Sequence, residues 1–238
     1  MSKYSRTIRG AVFAATLAVT AVTIGADAGV RGDSVKLLTA QFESRKVVQV
    51  EVGDFHFTPG QVAPIHTHAA PAIGYVAKGD IIYQVEGERP RILREGDAFY
   101  EPAGPRILRF DNASATEEAI FVDFNLEQVD EPFIVFEEQP KEHIDRRTLP
   151  TVDFGGKRVS QVDVYSSEIE RGGRLQLTST EPTLGIVAEG VVELRVQGQP
   201  AQRIVAGQTF SIPSPDSEAT IVNGSAEVTA TVVTFRLS

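Results

Sequence analysis

Apolar and polar side chains alternate in short runs along this chain, and turn residues cut each run. Val48, Val50 and Val52 alternate with Gln49 and Glu51, a period of two that gives an extended strand one apolar and one polar face. Ile81-Ile82-Tyr83-Gln84-Val85 runs into Glu86-Gly87-Glu88, a hairpin signal. Further strands are expected around Arg91–Leu93, Ala98–Glu101, Arg106–Phe110 and Ala119–Phe124. No segment after residue 28 sustains a 3.6-residue period. Many short antiparallel strands with Gly and Pro turns predict an all-β sandwich or barrel.

The pattern occurs twice. Ile73-Gly74-Tyr75-Val76-Ala77-Lys78-Gly79 returns as Leu184-Gly185-Ile186-Val187-Ala188-Glu189-Gly190. At the same separation of 111 residues, Gly96 returns as Gly207, Phe99 as Phe210, Asn112 as Asn223 and Phe124 as Phe235. Upstream the separation slips by one, so that Val47 matches Val159. A surface turn near Gly60 or Gly172 would absorb the extra residue. Two units of about 100 residues each make a pair of small domains.

The start of the chain differs. Lys3, Arg6 and Arg9 precede an apolar run from Ala11 to Ala26, followed by the small-x-small signature Ala26-Asp27-Ala28. This layout reads as a signal peptide over residues 1–28 and a periplasmic or secreted protein, with no membrane span after cleavage. The layout is then a first domain over 29–126, a joining segment over 127–150 and a second domain over 151–238. Phe133-Ile134-Val135-Phe136 in the joining segment reads as a strand.

Composition removes several function classes. With no Cys there is no disulfide and no thiol nucleophile. A formal net charge of −9, with no cluster of Lys and Arg, excludes nucleic acid as a partner. Open sheet edges leave a homodimer as one way to associate.

Two motifs resemble a known family. Pro59-Gly60, then Pro64-Ile65-His66-Thr67-His68, then Gly74 and Gly79 look like the first cupin motif. Gly96 through Pro102-Ala103-Gly104 looks like the start of the second. The resemblance implies two tandem cupin barrels, double-stranded β-helices of jelly-roll type, fused as a bicupin.

In that family two His, a Glu and a third His hold a divalent metal. His66 and His68 fill the first two positions, while the usual Glu and last His positions fall on Ala72 and Ile107. In the second unit the four positions fall on Leu177, Ser179, Thr183 and Glu218, where no metal is expected.

Residues i and i+2 of a strand share a face, so both imidazoles can point into the barrel. They either hold Fe, Mn, Ni or Zn with a third ligand drawn from Glu101, Tyr83, Tyr100 or His56, or are hydrogen-bonded relics. Strand parity also puts Arg109 on the face of Ile107, as a pocket cation or as an arginine paired near the surface with Glu117 or Glu118.

The expected pocket is therefore His66, His68, Arg109, Tyr83 and Glu101, for a small polar or anionic ligand. A metal-dependent dioxygenase, isomerase or lyase is the alternative, with Glu101 or Tyr83 as acid or base.

Overall fold

The computed structural model describes residues 34–178, 181–212 and 218–238. The segment read as a signal peptide, and Ser179, lie outside the described residues. The first barrel is built from β1 (Ser34–Phe57), β2 (His66–Thr67), β3 (Ala72–Lys78), β4 (Ile81–Val85), β5 (Arg91–Leu93), β6 (Ala98–Glu101), β7 (Arg106–Asn112) and β8 (Ala119–Glu127). After β9 (Val135–Phe136) in the joining segment comes β10 (Asp145–Ile169), followed by β11 (Arg174–Thr178), β12 (Thr183–Glu189) and β13 (Val191–Val196). The second barrel closes with β14 (Gln202–Val205), β15 (Thr209–Ile212), β16 (Glu218–Asn223) and β17 (Ala230–Leu237). Apart from β9, the second eight strands repeat the first eight in order. Among the described residues no helix is long and apolar enough to cross a membrane.

The two barrels share one sheet. The long strands β1 and β10 pair antiparallel, giving the eight-strand order β15-β12-β17-β10-β1-β8-β3-β6. Each barrel is completed by its own smaller sheet: β5-β4-β7-β2-β9 in the first, β11-β16-β13-β14 in the second.

In the shared sheet β3, β8, β12 and β17 are buried on both faces, so alternation along them separates two cores rather than core and solvent. On β8, Val122, Phe124 and Leu126 enter the core between the barrels, where the Phe124 and Phe235 rings stand 4.5 Å apart. The opposite face carries Ala119, Phe121, Asp123, Asn125 and Glu127 in turn, all buried. That face grades from apolar to acidic along one strand, and Asp123, in its middle, borders the site.

The repeated landmarks are packing and turn devices. A Cβ on Gly74 would sit 2.1 Å from the Phe99 ring, and one on Gly185 would sit 2.1 Å from Phe210. Each glycine is the slot that lets a ring from the neighbouring strand fill its barrel. Asn112 donates from Nδ2 to the carbonyls of Phe57, Thr58 and Glu117, and Asn223 does the same to Ile169, Glu170 and Val228.

One irregularity breaks the repeat. Opposite β4, Gln84 faces Arg109 but Val85 faces Ile107, so Leu108 is an extra residue in β7. In the second barrel, Arg195 faces Thr220 and Val196 faces Ala219 with no such insertion. The bulge shifts the barrel face from Arg109 to Phe110. It also puts Ala219, rather than the expected Glu218, in the register of Ile107, and Glu218 is exposed.

Candidate metal centre

His66 and His68 come from the short β2 and the residue that follows it. β2 is held between β7 and β9, with His66 opposite both Ile107 and Phe136. Both imidazoles are buried, their centroids 5.4 Å apart. His66 Nδ1 lies 2.8 Å from the Pro64 carbonyl and His68 Nδ1 lies 3.0 Å from the Phe133 carbonyl. A carbonyl only accepts, so each Nδ1 carries the proton and donates it. Each Nε2 is thereby left as a lone pair facing inward.

The third member is Glu101. In the register of β3 and β6, Glu101 stands directly opposite Ala72, the position where the family's Glu would lie. Paired residues of an antiparallel sheet project on the same side, with Cβ atoms about 5 Å apart. A carboxylate lost at position 72 is therefore regained from the neighbouring strand, and the small Ala72 side chain leaves it room. Glu101 Oε2 is 3.3 Å from His68 Nε2, and Oε1 is 3.6 Å from His66 Nε2. One donor atom from each of the three residues falls within 4.8 Å of the others.

The donor set fits a divalent ion. Two imidazole lone pairs and a carboxylate converge with no proton between them in this tautomer. His68 Nε2 and Glu101 Oε1 have no hydrogen-bond partner among the described residues. Ligand atoms held about 2.0–2.2 Å from one ion stand roughly 3 to 3.5 Å apart, against 3.3 and 3.6 Å from the Glu101 oxygens to the two imidazoles.

Electrostatics agree. Burial opposes ionisation of Glu101, yet the imidazoles of His68 and His66 override it and hold its pKa low, at about 2. Burial likewise opposes a charge on His68, and Glu101 outweighs it, raising the imidazole above its ordinary value. The pocket favours cationic charge beside Glu101, whether as protons or as metal.

Asp123 is the member that the sequence did not reveal. It lies on β8 opposite Gly74, buried, and shares a cavity wall with His66, His68 and Glu101. Burial first, and then the charge of Glu101, push its pKa up to about 7. Only the alternation along β8, with Asp123 in phase with Phe121, hinted that it faces inward.

Two expected pocket residues stand elsewhere. Arg109 points away from the cavity, 43% exposed, with Nε 2.7 Å from Asp111 Oδ2; the bulge at Leu108 reversed its parity. Its partner is Asp111, not Glu117 or Glu118. Tyr83 is packed in the barrel core and does not line the cavity, and its hydroxyl donates to the Tyr100 carbonyl. Burial pushes that hydroxyl's pKa far up, so Tyr83 is a structural group rather than a base. His56 faces outward between Asp54 and Glu118.

The rest of the cavity wall is aromatic: Phe55, Phe57, Phe110 and Phe121 from the barrel, Phe133 and Phe136 from the joining segment. Its free volume is about 20 Å³, room for about one water molecule.

Residues 53–125 match the family described as the cupin domain. That stretch of the first barrel is a cupin domain. No curated protein matches the sequence significantly. Solved structures show that the likeness extends over both barrels. AerE from Microcystis aeruginosa aligns at TM-score 0.56 and 15% identity, covering 85% of this chain and 98% of its own. Salicylate 1,2-dioxygenase from Pseudaminobacter salicylatoxidans aligns at 0.54 and 14%, covering 80% and 71%. Vicilin from Capsicum annuum aligns at 0.60 and 14%, covering 79% and 75%. At these identities the likeness is one of fold, and the two barrels have the bicupin architecture.

Proposed function

We propose that the first barrel is a metal-dependent site that acts on a small organic molecule, with His66, His68 and Glu101 as the protein ligands. The carrying observation is the convergence of two fixed imidazole lone pairs on a carboxylate inside a buried chamber. Relic histidines would end on hydrogen-bond partners at both nitrogens; here each Nδ1 is fixed by a carbonyl and each Nε2 faces Glu101.

A divalent ion with three protein ligands would supply a Lewis acid with positions left open for a substrate oxygen and water. The chain's own residues do the rest. The Pro64 and Phe133 carbonyls hold the two tautomers, the phenylalanines exclude bulk water, and Asp123 offers a second carboxylate beside the site. A 2-His-1-carboxylate set suits Fe most closely, with Mn, Ni and Zn as competitors. A dioxygenase among the solved structures of this fold supports enzymatic use of such a barrel, although the fold alone assigns no reaction. The leader-like sequence supports action outside the cytoplasm, which N-terminal sequencing of the purified protein would check.

The test is elemental analysis of protein purified without an affinity-metal column, beside Glu101→Gln and His66→Ala/His68→Ala. Near-stoichiometric transition metal in the wild type, lost in both variants, is expected. Metal retained by Glu101→Gln would remove Glu101 from the ligand set. Metal absent from the wild type after incubation with Fe, Mn, Ni and Zn would remove the proposal.

A further inference from the structure

We propose that residues 132–144 of the joining segment are a gate over the metal centre, and that a molecule larger than water reaches the first chamber only when this strap lifts. The inference rests on the site just proposed, although the opening itself can be read without metal.

Size sets the problem. The closed chamber has about 20 Å³ free, so an organic molecule finds no room in it. An outer groove of about 460 Å³ lies against the same wall, a volume in the range of small-molecule sites. Phe55, Ile134, Phe136 and Ile144 line both spaces and form the partition between them. Three of the four belong to the strap, so lifting it joins chamber and groove into one cavity.

The strap is also the part of the wall that is held most lightly. Phe55, Phe57 and Phe121 stand on β1 and β8, which pair over nine residues. The strap's own strand, β9, pairs with β2 over two residues, at the outer edge of its sheet. Beyond that pairing, the Glu137 N–H donates to the Ile65 carbonyl, Gln61 Nε2 donates to the His143 carbonyl, and the Phe133 carbonyl accepts from His68. The Arg106–Glu137 ion pair is exposed and adds little. Sparse bonding at a sheet edge is where a fold opens first. The two ends are fixed, with Glu131 paired to Arg45 and Arg146 paired to Glu51.

The second barrel shows that such a barrel closes without a strap. Its β11, the counterpart of β2, is the outermost strand of its sheet among the described residues. That barrel end is filled with hydrocarbon from Ile169, Leu177, Ile221 and Val232. The strap therefore covers the one barrel end that carries a site. It is also coupled to that site, because lifting it removes the carbonyl that fixes the His68 tautomer.

The chain has no cysteine, so Thr67→Cys/Val135→Cys introduces a single addressable pair. The two residues are direct neighbours across β2 and β9, and neither lines the chamber. Paired strand residues lie about 5.5 Å apart at Cα, which suits a disulfide. Full-length metal-free protein, oxidised or reduced, is treated with diethyl pyrocarbonate. Modification of the peptide carrying His66 and His68 is followed by mass spectrometry, with the exposed His143 as reference. Oxidation is expected to slow modification of the buried pair by roughly tenfold or more and to leave His143 unchanged. Ile134→Ala/Ile144→Ala, without the cysteines, should speed it by roughly threefold or more, and this variant decides the matter if the cysteine pair fails to fold. Equal rates in the oxidised and reduced forms, or an unchanged rate in the alanine variant, would overturn the gate. So would protection no greater than the gain in global stability measured by urea unfolding, which would place the exposure in unfolding of the whole barrel. In cobalt(II)-loaded protein, oxidation should likewise slow removal of the metal by a chelator. Failure to take up cobalt would sink the metal reading alone, because the modification rates need no metal.

Discussion

The two barrels of this bicupin are the same scaffold put to different internal use. The devices that hold the strands together recur in both: the glycine slot for Phe99 or Phe210, and the asparagine that ties three carbonyls. The groups that face the first chamber do not recur. In matching register, His66 corresponds to Leu177, Ala72 to Thr183, Glu101 to Ile212 and Asp123 to Thr234. The aromatic wall is replaced as well, with Ile169, Ile221 and Val232 where the first barrel has Phe57, Phe110 and Phe121.

Folding thus constrains the turns and cross-strand fits, while the lining of one barrel end is free to be a charged site or a hydrocarbon core. The difference has an energetic side. The second barrel buries no carboxylate at these positions. The first buries Glu101 and Asp123 at a desolvation cost that a bound cation would offset.

The largest expected effect comes from making the first barrel resemble the second. The triple variant His66→Leu/Glu101→Ile/Asp123→Thr should abolish stoichiometric metal binding. It should also stabilise the metal-free protein by about 1–4 kcal/mol, read by urea unfolding. A metal-free triple variant less stable than wild type would show that the polar cluster also supports the fold.

Next are the matched substitutions Gly74→Ala and Gly185→Ala. Each drives a methyl into a phenylalanine ring and should cost about 2–3 kcal/mol, equal in the two barrels if the scaffold is equivalent. Unequal losses would mean that one barrel limits the stability of the whole chain.

Asp123→Asn comes third, and the effect depends on pH. Asp123 has a folded-state pKa near 7 against an ordinary value of 3.8, so the metal-free native state binds a proton that the unfolded chain has lost. Stability from this group therefore falls as pH rises between those two values. The asparagine variant should be more stable than wild type at pH 8 by on the order of 2 kcal/mol, with the gap closing toward pH 4. A gap that widens on acidification would reverse the sign and place a cation beside Asp123 in the metal-free protein.

The smallest effect is expected from Arg109→Ala. Its ion pair joins a 43% exposed guanidinium to the buried Asp111, so stability should fall by about 1 kcal/mol and metal content should not change. Loss of metal or ligand would return Arg109 to the pocket.

The sequence by itself determined the duplication, the all-β class and the two inward histidines. These are local properties: alternation, turn glycines and an i, i+2 spacing act through the backbone of a single segment. The cupin motifs also marked Ala72 as the place where a carboxylate is missing. Only the tertiary structure decided which side chain replaces it, because the pairing of Ala72 with Glu101 is a property of two strands in register and not of either one. The same holds for Asp123, which reaches the site across β3. A single inserted residue, Leu108, turned Arg109 outward and brought Phe110 in, since every side chain beyond a bulge changes face.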